Sequence, residues 1–471
     1  MKKYLLYLSL CLSLGATAQQ QMTLNDCLES ALAHNRTLQN AALDIQMAGQ
    51  QKKEAYTKYY PQISANVMAF HAFDKLLKSE GTIPQEIAML GEQFIPMIGM
   101  PIEMKELNRC YSASLSIMQP LFTGGQIMTG NKLAALQEDV MKLQLQLKEK
   151  DIKQKVTENF WQIAQVKYNL NTLDAADKQL QEVYNLVDQY VKTGLTTSND
   201  LLKVKLHQQE LASNRIKLEN ADRILRLLLA QQVGLTANTA EPPLDIVLPE
   251  TSANSPFESI LQGKNNGALL LDEAYLGSET SREEYQLALK GVEAEELQVK
   301  MERAKLLPTV AVAAMGFHTG MGGISDNMKN YMNERMTNGL VMGTVSIPIS
   351  DWWGGSHAIK RQKMKVEQAR NTAQDAQEQL AIDLMASWNN LTEAYKQIEV
   401  AKVSVEQAEE NLRMCTEQFR AGTIGLSDLL DAETLNRRTH NDLNSARASF
   451  FIRQSDFERK ANNVVQSTRI Y

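Results

Sequence analysis

Two aspartates, Asp428 and Asp431, stand three residues apart in GTIGLSDLLDAE, and 228 positions earlier GLTTSNDLLKVK carries Asp200, with Lys203 where the second aspartate would be. Carboxylates at that spacing share a helix face, where they can gather a cation or simply serve as acids favoured in a first turn. Other reactive constellations are missing. The six histidines are scattered without metal-ligand spacing, the Gly-Gly pairs open no phosphate loop, and no serine sits in a nucleophile turn. Glu283-Glu284, Glu295-Glu296 and Glu409-Glu410 read as solvated helix faces rather than catalytic pairs. No enzymatic activity, cofactor or resident metal is expected.

The elements that carry these residues show in the placement of proline and glycine. All eleven prolines fall in 61–120, in 242–256, or at Pro308 and Pro348. An interior proline costs a helix about 3 kcal/mol, so long helices belong in the proline-free stretches. Within these, residues 131–193 and 357–421 also lack glycine, and apolar residues recur three and four apart, as in Leu133, Leu136, Val140, Leu143, Leu147 and in Leu384, Trp388, Leu391, Tyr395, Ile398. Each predicts one helix of over sixty residues, roughly 95 Å long at about 1.5 Å per residue, packed as a coiled coil. Trp161 and Trp388 fall at core spacing on them.

Shorter helices are predicted at 23–60, 198–233, 279–307 and 427–464, the first opened by Thr23 with Asp26. Gly194 and Gly422 suit left-handed caps at the ends of the long helices, with Asn199 or Ser427 capping the helix that returns. The plan is one long helix antiparallel to two stacked short ones, written twice.

A period of two appears between the helices. In YSASLSIM, Tyr111, Ala113, Leu115 and Ile117 alternate with Ser112, Ser114 and Ser116, as a strand between lipid and a watery lumen requires. Four strands are predicted, at 63–72, 110–121, 309–318 and 339–348, joined in pairs by the long loops 74–109 and 318–339. No other segment can span a membrane, because no apolar run beyond the leader approaches the ~18 residues a spanning helix needs. Four strands cannot close a barrel whose minimum is about 8, so the barrel must be shared between chains. Trp352 and Trp353 directly after the last strand predict an interfacial aromatic girdle, with Phe122 as their first-half counterpart.

Residues 1–18 read as a secretory signal peptide, with Lys2 and Lys3, an apolar stretch and an Ala16-Thr17-Ala18 cleavage site. Cys11 follows Leu10, where a lipidation signal wants a small residue, so no lipid anchor is expected. Cys27, Cys110 and Cys415 are odd in number and far apart, and are expected as free thiols. The chain has a net charge of -6 with its basic and acidic residues interspersed, and no basic stripe for nucleic acid.

TLNDCLESALAHN, YYPQIS, QPLFTGGQ, LLPTVA, IPISDWWGGS and the two glycine-to-DLL tips, in duplicated order, give a chain that resembles the TolC-like outer-membrane efflux family. The resemblance implies a mainly α fold with a small β membrane part. Three chains would pool an α-helical barrel of long coiled-coil hairpins and a shared 12-stranded outer-membrane β-barrel, four strands per chain, in a Gram-negative type envelope. It divides the chain into the signal peptide, a first repeat at 19–235, an equatorial segment at 236–278, a second repeat at 279–460 and an equatorial tail at 461–471.

The resemblance also implies the exit duct of a tripartite efflux pump, served by a periplasmic adaptor and an inner-membrane transporter of the RND or ABC type. A type I protein secretion duct is the alternative, and a fibrous coiled-coil surface protein a more distant one. Family gate aspartates match Asp428 and Asp431, with possible cation block there, and the family aspartate of the first tip matches Asp200. Phe419 matches an aromatic position, while the family's basic latch residue is replaced by Ile424, leaving Arg420 nearby as a substitute. Gate closure is therefore expected to lean on apolar packing around Leu426, Leu429 and Leu430. The adaptor is expected to dock at Gly194, Asp200, Leu201, Gly422 and Leu430.

Overall fold

The computed structural model describes residues 20–71, 73, 109–235, 242–248, 278–322 and 334–461. In chain order the elements are β1 Gln20–Met22, α1 Leu24–His34, α2 Arg36–Thr57, β2 Gln62–His71, β3 Arg109–Thr123, α3 Gln126–Lys192 and α4 Ser198–Gln232. Then follow β4 Leu244–Ile246, a 3₁₀ turn at Ser278–Ser281, α5 Glu283–Ala304, β5 Thr309–Gly322, β6 Glu334–Ser346, α6 Gly354–Arg420 and α7 Leu426–Lys460. The expected signal peptide, the tail beyond 461, most of both interstrand loops and most of 236–278 lie outside the described residues.

The duplication is exact in length through the hairpins. Helices α3 and α6 have 67 residues each and α4 and α7 have 35 each, and both second-half helices start 228 positions after their counterparts. Helix α3 begins before the glycine-free window and runs through Gly130. One interior glycine costs about 1 kcal/mol, which a helix of this length absorbs.

By contacts the chain forms two units. The first joins Met1–Gln46, Asp139–Gly291 and Ala369–Tyr471. Its core includes Phe160, Ile163, Leu229 and Leu244 around the small parallel sheet of β1 and β4, and Leu391, Phe450 and Phe457 between α6 and α7. The predicted helix at 23–60 breaks here. Thr23 opens α1 by accepting from the Asp26 N–H while the Asp26 carboxylate accepts from the Thr23 N–H. The helix then stops at Asn35, which turns extended (ψ 124°), and its side-chain amide donates to the Gln232 carbonyl at 2.8 Å. Ser30 donates to the Val233 carbonyl at 3.0 Å. The last carbonyls of α4 thus find partners at the break.

The second unit joins Met47–Glu138 and Val292–Gln368 and holds an antiparallel sheet in the order β2-β3-β5-β6. All four predicted strands are present. Strand β5 continues to Gly322, and β6 starts at Glu334, five residues before its expected start, and leaves out Ile347 and Pro348. Pro120 is accommodated in the central strand β3 because the register shifts between Pro120 and Phe122, where a missing N–H breaks no ladder.

Candidate functional site

The tips of the two hairpins share one construction. Gly194 and Gly422 have φ of +76° and +73°, values that L side chains adopt at a cost. Leu195 N–H bonds back to the Tyr190 carbonyl at 2.8 Å and Thr423 N–H to the Gln418 carbonyl at 2.9 Å, the six-to-one bond of a Schellman cap. The returning helices start differently from expectation. Asn199 and Ser427 lie inside the first turns, and the caps are Thr197 and Gly425.

Asp200 and Asp428 each turn back to support the start of their own helix. Asp200 accepts from Thr196 Oγ1 at 2.6 Å, Thr197 Oγ1 at 3.1 Å and Lys203 Nζ at 3.2 Å. The Thr196 hydroxyl above all, with Lys203 and Thr197 behind it, holds its carboxyl below the usual range against the opposing effect of burial. Asp428 accepts from the Gly425 N–H at 3.2 Å; both it and Asp431 are exposed.

Leu426, Leu429 and Leu430 are buried against Leu173, Leu180 and Val187 of α3 and Val204 and Leu211 of α4, so the two hairpins share a core at their tips. Ile424 packs on that cluster. Phe419 is buried in it, with its ring 6.1 Å from that of Tyr190. Leu430, at 3% exposure, is a packing residue and offers no docking surface; Leu201 also packs against this core. The exposed apolar residues beside the first tip are Leu195 at 74% and Leu202 at 62%, which the repeated DLL pattern hid by treating all its leucines alike.

In the second unit, the register sorts the sheet into two chemistries. Across the four strands, Val67-Ala113-His318-Thr337, Ala65-Leu115-Gly316-Gly339 and Ile63-Ile117-Ala314-Val341 form rows on one face. The rows Phe70-Cys110-Met321-Glu334, Met68-Ser112-Thr319-Met336, Asn66-Ser114-Phe317-Asn338, Ser64-Ser116-Met315-Leu340 and Gln62-Met118-Ala313-Met342 form the other. Hydrogen bonds keep to their faces: Ser64 with Ser116 at 2.7 Å and Ser112 with Thr319 at 3.3 Å on the polar one. Tyr111 with His318 at 3.3 Å lies at the loop end of the aliphatic one.

At the opposite ends of the strands, Trp352 and Trp353 are 82% and 72% exposed and hold φ of +52° and +66°. Their positional counterparts, 228 earlier, are Gly124 and Gly125, with φ of +63° and +90°. Phe122 is therefore not the matching residue, although it is exposed and stands two residues before that pair at the end of β3. Tyr56, Tyr59 and Tyr60 form an exposed edge-to-face cluster, with Tyr59 and Tyr60 centroids 5.4 and 5.8 Å from Tyr56. The YTKYYP spelling before a strand was the available signal for it.

Cys27, Cys110 and Cys415 are free thiols, and burial pushes Cys27 up to about 12. No helix among the described residues is long and apolar enough to cross a membrane, and no cluster of His, Cys, Asp and Glu among them can hold a metal.

A duplicated pair of long helical hairpins with a four-stranded sheet, aliphatic on one face and polar on the other, defines a membrane duct of the helix-plus-strand class. The model of the outer membrane efflux protein family matches residues 27–231 and 280–456, and the chain belongs to that family. This makes it an outer-membrane protein and not an enzyme.

Among curated proteins it is similar to the outer membrane protein TolC of Salmonella enteritidis, 21% identical over 292 residues; the match spans 60% of this chain and 56% of that relative. Among solved structures it shares its fold with the Campylobacter jejuni CmeC outer membrane channel, with a TM-score of 0.70, 12% identity and coverage of 95% of this chain and 88% of that one. VceC of Vibrio cholerae gives a TM-score of 0.68 at 15% identity, covering 93% and 95%.

Proposed function

We propose that three copies of this chain form the exit duct of a tripartite efflux pump, passing small molecules from an RND- or ABC-type inner-membrane transporter through a periplasmic adaptor to the exterior. The observation that carries the reading is the two-faced sheet whose edges, β2 and β6, have no partner strand among the described residues of one chain. In lipid an unpaired edge is costly, so four strands must join others, and three copies supply enough for a barrel with lipid outside and serines inside. Heat-modifiable trimer migration in detergent together with conductance in a planar bilayer tests it; a monomer without conductance overturns it. With Cys110 replaced by Ser, cysteines at Leu115 and Ile117 should report lipid, and at Ser114 and Ser116 water.

In this duct Trp352, Trp353 and Phe122 sit at the periplasmic membrane interface. The tips around Gly194, Asp200, Leu201 and Gly422, with Leu195 and Leu202 as exposed apolar contacts, receive the adaptor. The second hairpin carries the gate, with Asp428 and Asp431 facing the axis and Phe419, Leu426 and Leu429 packed behind them. Cross-linking of the adaptor to cysteines at Leu195 and Leu202, compared with cysteines on the middle of α4, tests the docking assignment.

A further inference from the structure

Residues 62–123 and 309–346, about a fifth of the chain, hold twelve of its 21 methionines. The six in the strands, Met68, Met118, Met315, Met336, Met342 and, in the loop-end row Phe70-Cys110-Met321-Glu334, Met321, all stand on the serine-bearing face, and none stands in the aliphatic rows. Lipid-facing positions would accept methionine as readily as leucine, so apolarity alone does not explain this sorting. Met68, Met118 and Met336 are 50%, 49% and 41% exposed.

Three of the six converge. Met118 of β3 and Met342 of β6 stand opposite Ala313 from its two sides, and Met315 lies two residues along β5 on the same face. Met315 is thus the diagonal neighbour of both, at a spacing of about 7–8 Å that long side chains bridge. Ala313 at the centre supplies only a methyl group and leaves the middle of the triangle open. Four of the five complete rows on this face, including both rows of the triangle, contain no charged side chain; Glu334, in the loop-end row Phe70-Cys110-Met321-Glu334, stands three rows beyond Met315 and leaves the triangle itself without charge. A hard cation finds no carboxylate there, whereas neutral thioether sulfur is the donor that soft monovalent cations prefer.

We propose that Met118, Met315 and Met342 form a thioether site for soft monovalent cations of the silver(I) and copper(I) class on the lumen wall. Met68 and Met336 place further soft donors on the same wall. The proposal rests on this face lining the lumen.

The probe is silver(I) nitrate in chloride-free medium, titrated calorimetrically into the full chain with Cys11→Ser, Cys27→Ala, Cys110→Ser and Cys415→Ser, which removes thiol binding. Saturable silver binding is expected, at least about tenfold weaker in Met118→Leu/Met315→Leu/Met342→Leu, with zinc(II) and calcium(II) silent in both. Equal silver affinity in parent and triple variant overturns the site. If the triple variant fails to assemble, Met315→Leu alone is compared with Met364→Leu on α6, and an equal loss in the two overturns it as well. Bilayer conductance is recorded on the same samples. Silver binding without conductance faults the channel reading, and conductance without methionine-dependent silver binding faults this one.

Discussion

The Tyr190 hydroxyl donates to the backbone carbonyl of Arg420 at 3.3 Å, tying the end of α3 to the end of α6 across the two tips. The ring of Tyr190 lies against Phe419, so one residue joins the hairpins by a polar and an apolar contact. Arg420 takes part through its backbone, and its side chain has no ion pair among the described residues. Tyr190→Phe keeps the ring and deletes the bond. Amide exchange at 421–426 should quicken several-fold, matching a loss of about 0.5–1.5 kcal/mol, with global stability nearly unchanged. Unaltered exchange would show that the tips are held by the leucine cluster alone.

The glycines in turns separate by what surrounds them. A Cβ at Gly124 would lie 2.4 Å from the Ala304 carbonyl and 2.9 Å from Leu307 Cβ, while at Gly125, Gly194 and Gly422 nothing stands within 4 Å. Gly125→Ala, Gly194→Ala and Gly422→Ala should each cost only the backbone term of about 1 kcal/mol. Gly124→Ala should cost clearly more, since α5 must shift. Urea unfolding of the four variants checks the order.

Much of this fold was legible in the sequence, and the illegible parts have a common cause. The long helices follow from where proline and glycine are absent, and the strands from alternation, both properties of neighbouring residues. The break at Asn35 depends on the carbonyls of Gln232 and Val233, some two hundred residues away, which no local pattern contains. Equating Trp352-Trp353 with Gly124-Gly125 requires φ, because side chains so unlike conceal the same turn. At the tips, spacing identified the aspartates, but only packing separates buried Leu430 from exposed Leu202.

Glu433 is 5% exposed, and its Oε1 has no hydrogen-bond partner. Burial pushes its carboxyl above the usual range; Arg437, 3.9 Å away, offsets part of this and Glu210 adds to it. The folded chain therefore holds this proton more tightly than the unfolded chain. The resulting stability is full below the unfolded value of about 4.3 and is lost as pH rises through the raised folded value. Glu433→Gln should raise the urea midpoint at pH 7 and leave it nearly unchanged at pH 4. A lower midpoint at pH 7 would mean that the Arg437 contact outweighs the burial cost.

Trp352 and Trp353 hold a backbone conformation that bulky residues avoid, at a cost of order 1–3 kcal/mol each. Such strain persists only where the side chains gain something in return, and the amphipathic indole gains at a membrane interface. Replacing both by Gly should therefore have opposite effects in two media. In detergent the isolated protein should melt higher, whereas in bilayers its insertion should weaken and its lipid-accessible indole fluorescence at this edge should vanish. A lower melting temperature in detergent would show that the indoles are held by packing within the protein.

The gate proposed at the second tip would divide its work between charge and packing. Asp428 and Asp431 are exposed, and three copies would bring six carboxylates towards one axis, where mutual repulsion opposes closure unless cations or protons offset it. With Ile424 packed partly into the tip core instead of offering a positive charge, closure in the proposed gate would fall to the apolar cluster of Leu426, Leu429 and Leu430. Asp428→Ala/Asp431→Ala should abolish block by trivalent cations while leaving the resting conductance near its original value. It should also loosen the start of α7 slightly, because the Gly425 N–H loses its acceptor. Leu429→Ala, at a position 2% exposed, should cost about 2–5 kcal/mol locally and raise resting conductance well above that of a Ser427→Ala control. If trivalent block survives the double change, the cation site lies elsewhere in the duct. If Leu429→Ala conducts no more than the control, closure does not depend on the packed tip.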